Sequence, residues 1–150
     1  MIEHTIEIAA SPADLFRLTQ DYGLRLEWDP FLKSAGLIDG AETAGLGVRA
    51  VCVSRYGLAM ETEYVSFNPP RVTAVRMTRG PWIIERFAGS WHFEEIQHGT
   101  TRVRFKYDFR ARPRILSWLL KPILTWVFSR DTRKRLLALK AAVENRGLFA

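Results

Sequence analysis

The chain has 150 residues, of which 47% are hydrophobic, and this length and composition are typical of one folded domain, which we predict over residues 1–150. The charge is uneven: residues 1–100 hold 9 Lys/Arg and 13 Asp/Glu, whereas residues 101–150 hold 13 and 3, so one end of the chain supplies a basic surface. The single cysteine, Cys52, excludes an intrachain disulfide and a cysteine-based zinc cluster, and the most apolar window, 115–128, is shorter than the roughly 20 residues that span a bilayer.

The N-terminal segment predicts one strand followed by two short helices. Residues 2–9 alternate apolar and polar side chains, which is typical of a half-buried strand and places His4 on its apolar face. Ser11 and Pro12 then suit the N-cap and the first position of a helix. In the stretch EWDPFL, Asp29 can cap and Pro30 can open a second short helix or a turn.

Residues 35–110 carry strand patterns separated by short turns. The patterns cover 35–40, 47–55, 58–67, 71–78, 82–96 and 101–110. Because the connections are short, they favour an antiparallel meander over parallel strands.

The remainder of the chain is predicted to be helical from Pro113 to about residue 146. Pro122 lies inside this pattern, so we expect a kink or two helices in succession. An antiparallel sheet with one apolar face must cover that face, and this helix is the only long element available to do so. The order of the elements therefore predicts an α+β fold.

That order, together with SPADLFRLTQDYGLRLEWDPFLKSAGLIDG (11–40) and RDTRKRLLALKAAVE (130–144), resembles the SRPBCC superfamily. This superfamily includes START domains, birch-pollen-allergen-like proteins and the polyketide cyclase/dehydrase type. The resemblance covers nearly the whole chain and implies a helix-grip fold. In such a fold a curved seven-stranded antiparallel sheet wraps around a long C-terminal helix, two short helices follow the first strand, and a mostly apolar cavity lies between sheet and helix.

Large aromatic side chains on the apolar strand faces are the main candidates for lining such a cavity. Two tyrosine hydroxyls, of Tyr64 and Tyr107, could orient a ligand there. The alternative interpretation of the aromatic rows is a solid core, and Trp28 and Phe31 could equally be a structural plug at one end. The predicted lining residues are His4, Trp28, Phe31, Met60, Tyr64, Trp82, Phe87, Trp91, Phe93, Phe105, Tyr107 and Trp126.

The sequence holds no grouping of residues that is typical of a catalytic or metal site. There is no HExxH, CxxC, GxSxG or glycine-rich phosphate loop, and the strand phases of the three histidines argue against a metal site, so we expect no cofactor. We predict binding or transport of a hydrophobic small molecule, such as a lipid, a quinone or a polyketide-like compound. The alternative is an enzyme of the cyclase/dehydrase type that uses His4, Tyr64 or Tyr107 in the same cavity.

Basic residues flank the apolar window 115–128, which also contains Trp118 and Trp126. The simplest interpretation is a solvated basic surface, and the alternative is peripheral contact with an anionic membrane. A nucleic-acid partner is not expected, because the aromatic residues alternate with the arginines and so lie on the opposite strand face. The N-terminus MIEHTIEIAA lacks a basic region and a long apolar run, so we expect no signal peptide and a cytoplasmic location. The ligand and the oligomeric state stay open.

Overall fold

Seven strands and three helices form within residues 1–145 and 147, the part of the chain that the computed structural model describes. The strands are β1 (Ile2–Ile8), β2 (Leu32–Leu37), β3 (Arg49–Ser54), β4 (Ala59–Asn68), β5 (Val72–Arg79), β6 (Ile84–Gln97) and β7 (Thr100–Ala111). The helices are α1 (Pro12–Gln20), α2 (Arg25–Trp28) and α3 (Ser117–Glu144), and a short 3-10 turn, Arg114–Leu116, precedes α3.

The strands build one antiparallel sheet in the order β1-β7-β6-β5-β4-β3-β2. Every connection between β2 and β7 joins neighbours, as the short turns predicted, and β1 closes onto the far edge by pairing with β7. The sheet is curled into a half-barrel around α3, which confirms the predicted α+β helix-grip fold.

Helix α3 runs without interruption through Pro122, so of the two predicted alternatives, a kink or two helices in succession, the second does not occur. Pro122 lies near the start of the helix and lacks only the hydrogen bond that its amide would make to the previous turn. No helix within the described residues is long and apolar enough to cross a membrane.

Of the two alternatives predicted at Asp29 and Pro30, a helix or a turn, the chain forms the turn. Ser11 does cap α1, since its hydroxyl accepts a hydrogen bond from the Asp14 amide at 3.2 Å. Asp29, in contrast, follows α2 and does not start a helix. Its carboxylate accepts a hydrogen bond from the Phe31 amide at 2.9 Å and forms a buried ion pair with Arg25, so the acid shapes a turn from inside the protein.

One end of the space between sheet and helix is filled by protein side chains. Here α1 and the C-terminal half of α3 pack against β1, β6 and β7. We call this region the packed end; its members are Ile8, Leu15, Phe16, Leu18, Phe93, Val103, Leu136, Leu139, Ala142 and Val143, all of them buried. The N-terminal half of α3 lies over the other end of the sheet, where the packing is incomplete.

Candidate functional site

A cavity of about 220 Å³ lies between the concave face of the sheet and the N-terminal half of α3. Leu124, Val127 and Phe128 of α3 form its roof, and residues from β2 to β7 form its wall. An apolar cavity of about 150 Å³ is large enough to hold benzene, so this one has room for a small organic molecule. We call this region the cavity end.

Aromatic rings make the deepest part of the wall. Trp91 of β6 and its register partner Phe105 of β7 meet edge to face at 4.8 Å between ring centroids, and Phe87 stacks on Tyr107 at 6.1 Å. Gly89 lies in the same row between Phe87 and Trp91, and the missing side chain leaves space next to these rings. The aromatic rows therefore line the cavity on one side and pack in the hydrophobic core on the other. Protein side chains fill only part of the space between sheet and helix.

Seven of the twelve predicted lining residues form part of the cavity wall. They share an inward-facing position on a strand or, for Phe31, in the turn that follows α2. The seven are Phe31, Met60, Tyr64, Phe87, Trp91, Phe105 and Tyr107.

Two of the other five, Trp82 and Trp126, are exposed at 65% and 63% and do not reach the cavity. Trp82 precedes β6 and lies in a turn closed by a hydrogen bond from the Ile84 amide to the Pro81 carbonyl, so strand alternation does not extend to it. Trp126 lies two residues from Leu124 and from Phe128, and a spacing of two places it on the opposite face of the helix. Its ring packs against the Arg130 guanidinium at 5.1 Å.

The remaining three, Phe93, Trp28 and His4, lie behind the wall; Phe93 and Trp28 are buried and His4 is half-buried. Phe93 packs on Phe16 of α1 at the packed end, and Trp28 is buried between Trp91 and Arg25. His4 lies on β1, away from the cavity, and burial together with Arg133 lowers the pKa of its imidazole below the usual value. The cavity wall thus contains no histidine among the described residues.

A chain of hydrogen bonds crosses the cavity wall and includes two residues that the sequence analysis missed. The Tyr64 hydroxyl donates to Gln20 Oε1 at 2.6 Å, and the Tyr22 hydroxyl lies 3.2 Å from the Tyr64 hydroxyl. Burial raises the pKa of Tyr22 and of Tyr64, so both hydroxyls stay protonated at neutral pH. Gln20 and Tyr22 sit at and just after the end of α1, where no strand or helix pattern indicates that a side chain points inward.

A charged cluster of Arg25, Asp29 and Arg135 closes the inner end of the cavity, next to the packed end. Asp29 Oδ2 lies 2.8 Å from Arg25 Nε and 3.0 Å from Arg135 Nε. Burial alone would raise the pKa of Asp29, but Arg135 and Arg25 outweigh burial and hold it below its usual value. The spacing of four between Arg25 and Asp29 was a usable signal on the sequence, whereas the contribution of Arg135 depends on the tertiary fold.

Cys52 also lines the cavity, and burial raises the pKa of its thiol above the usual value. A protonated thiol is a poor nucleophile, so the wall offers neutral hydrogen-bonding groups and fixed charges in place of a reactive sulfur. Within the described residues, no group of three or more His, Cys, Asp or Glu side chains is arranged to hold a metal ion.

One protein family and several solved structures are similar to this chain. The family model described as polyketide cyclase/dehydrase and lipid transport matches residues 1–144. The fold is similar to that of the Zhui aromatase/cyclase from Streptomyces sp. R1128, with 17% sequence identity, a TM-score of 0.77 and coverage of 97% of this chain and 96% of that chain. It is also similar to a START superfamily protein from Mycobacterium smegmatis, with 13% identity, a TM-score of 0.76 and coverage of 95% and 96%.

A third similar structure is the two-domain aromatase/cyclase StfQ from the steffimycin biosynthetic pathway, with 15% identity and a TM-score of 0.78 over 97% of this chain and 51% of that chain. No curated protein sequence matches this chain. At these identities the solved structures support the fold alone, and the family assignment depends on the family model. The chain belongs to the polyketide cyclase/dehydrase and lipid transport family.

Proposed function

We propose that the protein binds a hydrophobic small molecule in the cavity between the sheet and the N-terminal half of α3. The observation that carries this proposal is the cavity itself: about 220 Å³ remains unfilled beneath a helix whose other half is closely packed on the same sheet. An apolar wall with a few fixed polar groups is the usual character of a small-molecule site. The hydroxyls of Tyr22 and Tyr64 are suitable polar groups for orienting the bound molecule.

A cavity-filling variant tests this proposal. A Cβ atom at Gly89 would make no contact closer than 3.4 Å, so the first atom of a new side chain fits without a clash, and Gly89→Leu is designed to place the rest of the leucine in the cavity that Gly89 lines. Ala88 is the matched control, because it lies on the same strand with its side chain exposed on the outer face. We expect wild type and Ala88→Leu to bind the neutral fluorescent probe N-phenyl-1-naphthylamine equally, and Gly89→Leu to bind it at least about tenfold more weakly, the equivalent of about 1.4 kcal/mol.

Equal affinity of all three proteins would place the probe outside the cavity and contradict the proposal. Native mass spectrometry of protein purified from its own cells gives an independent measurement. A small molecule that is retained by wild type and by Ala88→Leu, but not by Gly89→Leu, would identify the class of ligand.

The second candidate function is catalysis of the cyclase/dehydrase type in the same cavity. The observation that favours it is the presence of neutral tyrosine hydroxyls in the wall: burial raises the pKa values of Tyr64 and Tyr107, so each can donate a hydrogen bond to a substrate carbonyl. His4, the third residue considered for this role, lies outside the cavity wall. A polyketide-like substrate turned over by wild type, and more slowly by Tyr64→Phe and Tyr107→Phe, would support catalysis; turnover at the uncatalysed rate would contradict it.

We further propose that the outer face of α3 contacts anionic membranes. Trp118 and Trp126 are exposed there at 73% and 63%, beside Lys121 and Arg133, and Ile115 of the preceding 3-10 turn is 79% exposed. Tryptophan prefers the interface of a bilayer, and basic side chains are attracted to anionic headgroups. Because the opposite face of the same helical segment roofs the cavity, contact here would bring a membrane close to the ligand site.

Co-sedimentation with vesicles that contain phosphatidylserine tests this contact. We expect binding that weakens as salt is added, and weaker binding for Trp118→Ser. Leu137→Ser is the control, since Leu137 is 60% exposed on the C-terminal half of the same helix. A protein that stays unbound at low salt would contradict the proposal.

A further inference from the structure

The charged cluster at the inner end of the cavity contains more positive than negative charge. The side chains of Arg25 and Asp29 are 8% and 0% exposed, and that of Arg135 is 12% exposed. Within the described residues, Asp29 is the one carboxylate within 4 Å of either guanidinium. Two cations and one anion therefore share a site that is largely withdrawn from water.

Asp29 and Arg25 are each fixed by hydrogen bonds within the protein. Asp29 accepts from Arg25 with one oxygen and from the Phe31 amide with the other, and Arg25 also donates to the Thr19 carbonyl at 3.0 Å. Arg135 Nε lies 3.0 Å from the Asp29 oxygen that accepts from Arg25 Nε, but it makes no hydrogen bond there. Both oxygens of Asp29 therefore already have other donors, and Arg135 interacts with Asp29 through charge alone.

Within the described residues no hydrogen bond joins any side-chain nitrogen of Arg135 to a protein acceptor, and its buried Nε has no hydrogen-bond partner although it lies 3.0 Å from Asp29 Oδ2. The guanidinium carbon lies 4.9 Å from the ring centroid of Phe31 and 5.7 Å from that of Phe105, and all three residues line the cavity. This side chain is therefore held between two aromatic rings at the cavity surface.

A second carboxylate in the wall, that of Asp131, does not balance Arg135. Asp131 lies 3.4 Å from Arg130, which contributes its own positive charge, and it accepts a hydrogen bond from the Tyr56 hydroxyl at 3.4 Å. This pair is electrically neutral by itself. The excess positive charge of two guanidiniums that share one carboxylate is unfavourable in a buried site unless water or an anion compensates it.

We infer that the cavity selects a hydrophobic carboxylate, whose oxygens accept hydrogen bonds from the terminal nitrogens of Arg135 at the inner end. The apolar body of this molecule would extend along Phe87 and Trp91 towards the roof formed by α3. The inference depends on the proposed binding function and names its ligand class: a compact, mainly apolar acid instead of a neutral lipid or quinone. Planar guanidinium groups suit carboxylates because the two groups match in shape and charge.

A matched pair of probes tests the inference on the wild-type protein. 2-Naphthoate and 2-naphthamide have the same shape and differ in charge, so their affinities at neutral pH, measured by isothermal titration calorimetry, report the contribution of the anion. We expect naphthoate to bind about tenfold or more tightly than naphthamide, since a hydrogen bond to a charged group contributes more than the energy of one tenfold step.

Two variants locate the effect. Arg135→Gln should bring the ratio of the two affinities close to one, and the ratio should persist in Lys134→Gln, which removes one positive charge from the neighbouring exposed position on α3. Arg135→Lys keeps the charge without the planar geometry, so an intermediate ratio is expected. Circular dichroism establishes that each variant is folded; the ratio in wild type tests the inference even if Arg135→Gln does not fold.

The outcomes separate this inference from the proposed function. Equal affinity of wild type for the two probes would overturn the inference and leave the binding function standing. Absence of binding for both probes would overturn the inference together with the proposed function. An equal loss of preference in Arg135→Gln and Lys134→Gln would also overturn it, because a general effect of the basic surface would then account for the preference.

Discussion

The two ends of the space between sheet and helix are built from the same elements but are filled differently. At the packed end, Leu15 and Phe16 of α1 join Leu136 and Leu139 of α3 in one buried cluster on the sheet. At the cavity end, no helix of the described residues other than α3 supplies a comparable set of buried side chains. The difference shows that the side chains of α1 help to fill one end of the space under α3, whereas the other end stays open.

The charged cluster lies on the boundary between the two ends. Along α3, Arg135 comes directly before Leu136 of the packed end and one turn after Asp131 of the cavity wall. The cluster is thus part of the closed core on one side and faces the cavity on the other. We expect substitutions at this boundary to cause the largest loss of stability.

Asp29→Asn should lower the free energy of unfolding at neutral pH by about 3–5 kcal/mol, because it leaves two buried guanidiniums without a carboxylate. In the folded protein the pKa of Asp29 lies below its usual value of about 3.9, so its ionised form stabilises the fold above that pH and the contribution is lost as the pH falls through the folded-state pKa. Urea unfolding of wild type and variant at pH 7 and pH 3 measures the free energy of unfolding at each pH. If the two proteins differed in this free energy by the same amount at both pH values, the stabilising role of the ionised Asp29 carboxylate would be contradicted.

Leu139→Ala, at the packed end, should lower the free energy of unfolding by about 2–5 kcal/mol, because the surrounding side chains cannot fill the space that the fully buried leucine leaves. Leu124→Ala is the matched change at the cavity end, where it enlarges a space that already exists. We expect Leu124→Ala to lower the free energy of unfolding by less than half as much as Leu139→Ala does. Urea denaturation of both variants provides the comparison, and equal losses would show that the two ends are packed alike.

Tyr64→Phe should have the smallest effect of the three, about 1–3 kcal/mol, because it leaves Gln20 Oε1 without its donor inside the protein. The same change removes a polar group from the cavity wall. Affinity for the neutral probe should therefore stay the same or increase while stability falls, as measured by fluorescence titration and urea unfolding of one preparation. A variant as stable as wild type would mean that the hydroxyl chain does not support the wall.

Much of the architecture was predictable because strand alternation and turn chemistry are local properties. The alternation in β4, β6 and β7 correctly placed Met60, Tyr64, Phe87 and Phe105 on the concave face. The same rule failed for Trp82, where a turn precedes the strand, and it does not apply to Trp126, whose direction depends on which face of α3 meets the sheet.

The sequence by itself determined the antiparallel order, the long terminal helix and the rows of aromatic residues, since period and propensity act between neighbours in the chain. Tertiary structure alone decided which aromatic residues became core and which became wall, because α1 and the two halves of α3 cover different parts of one sheet. It also brought Arg135 to Asp29 across more than a hundred residues, and no local pattern encodes a contact of that separation.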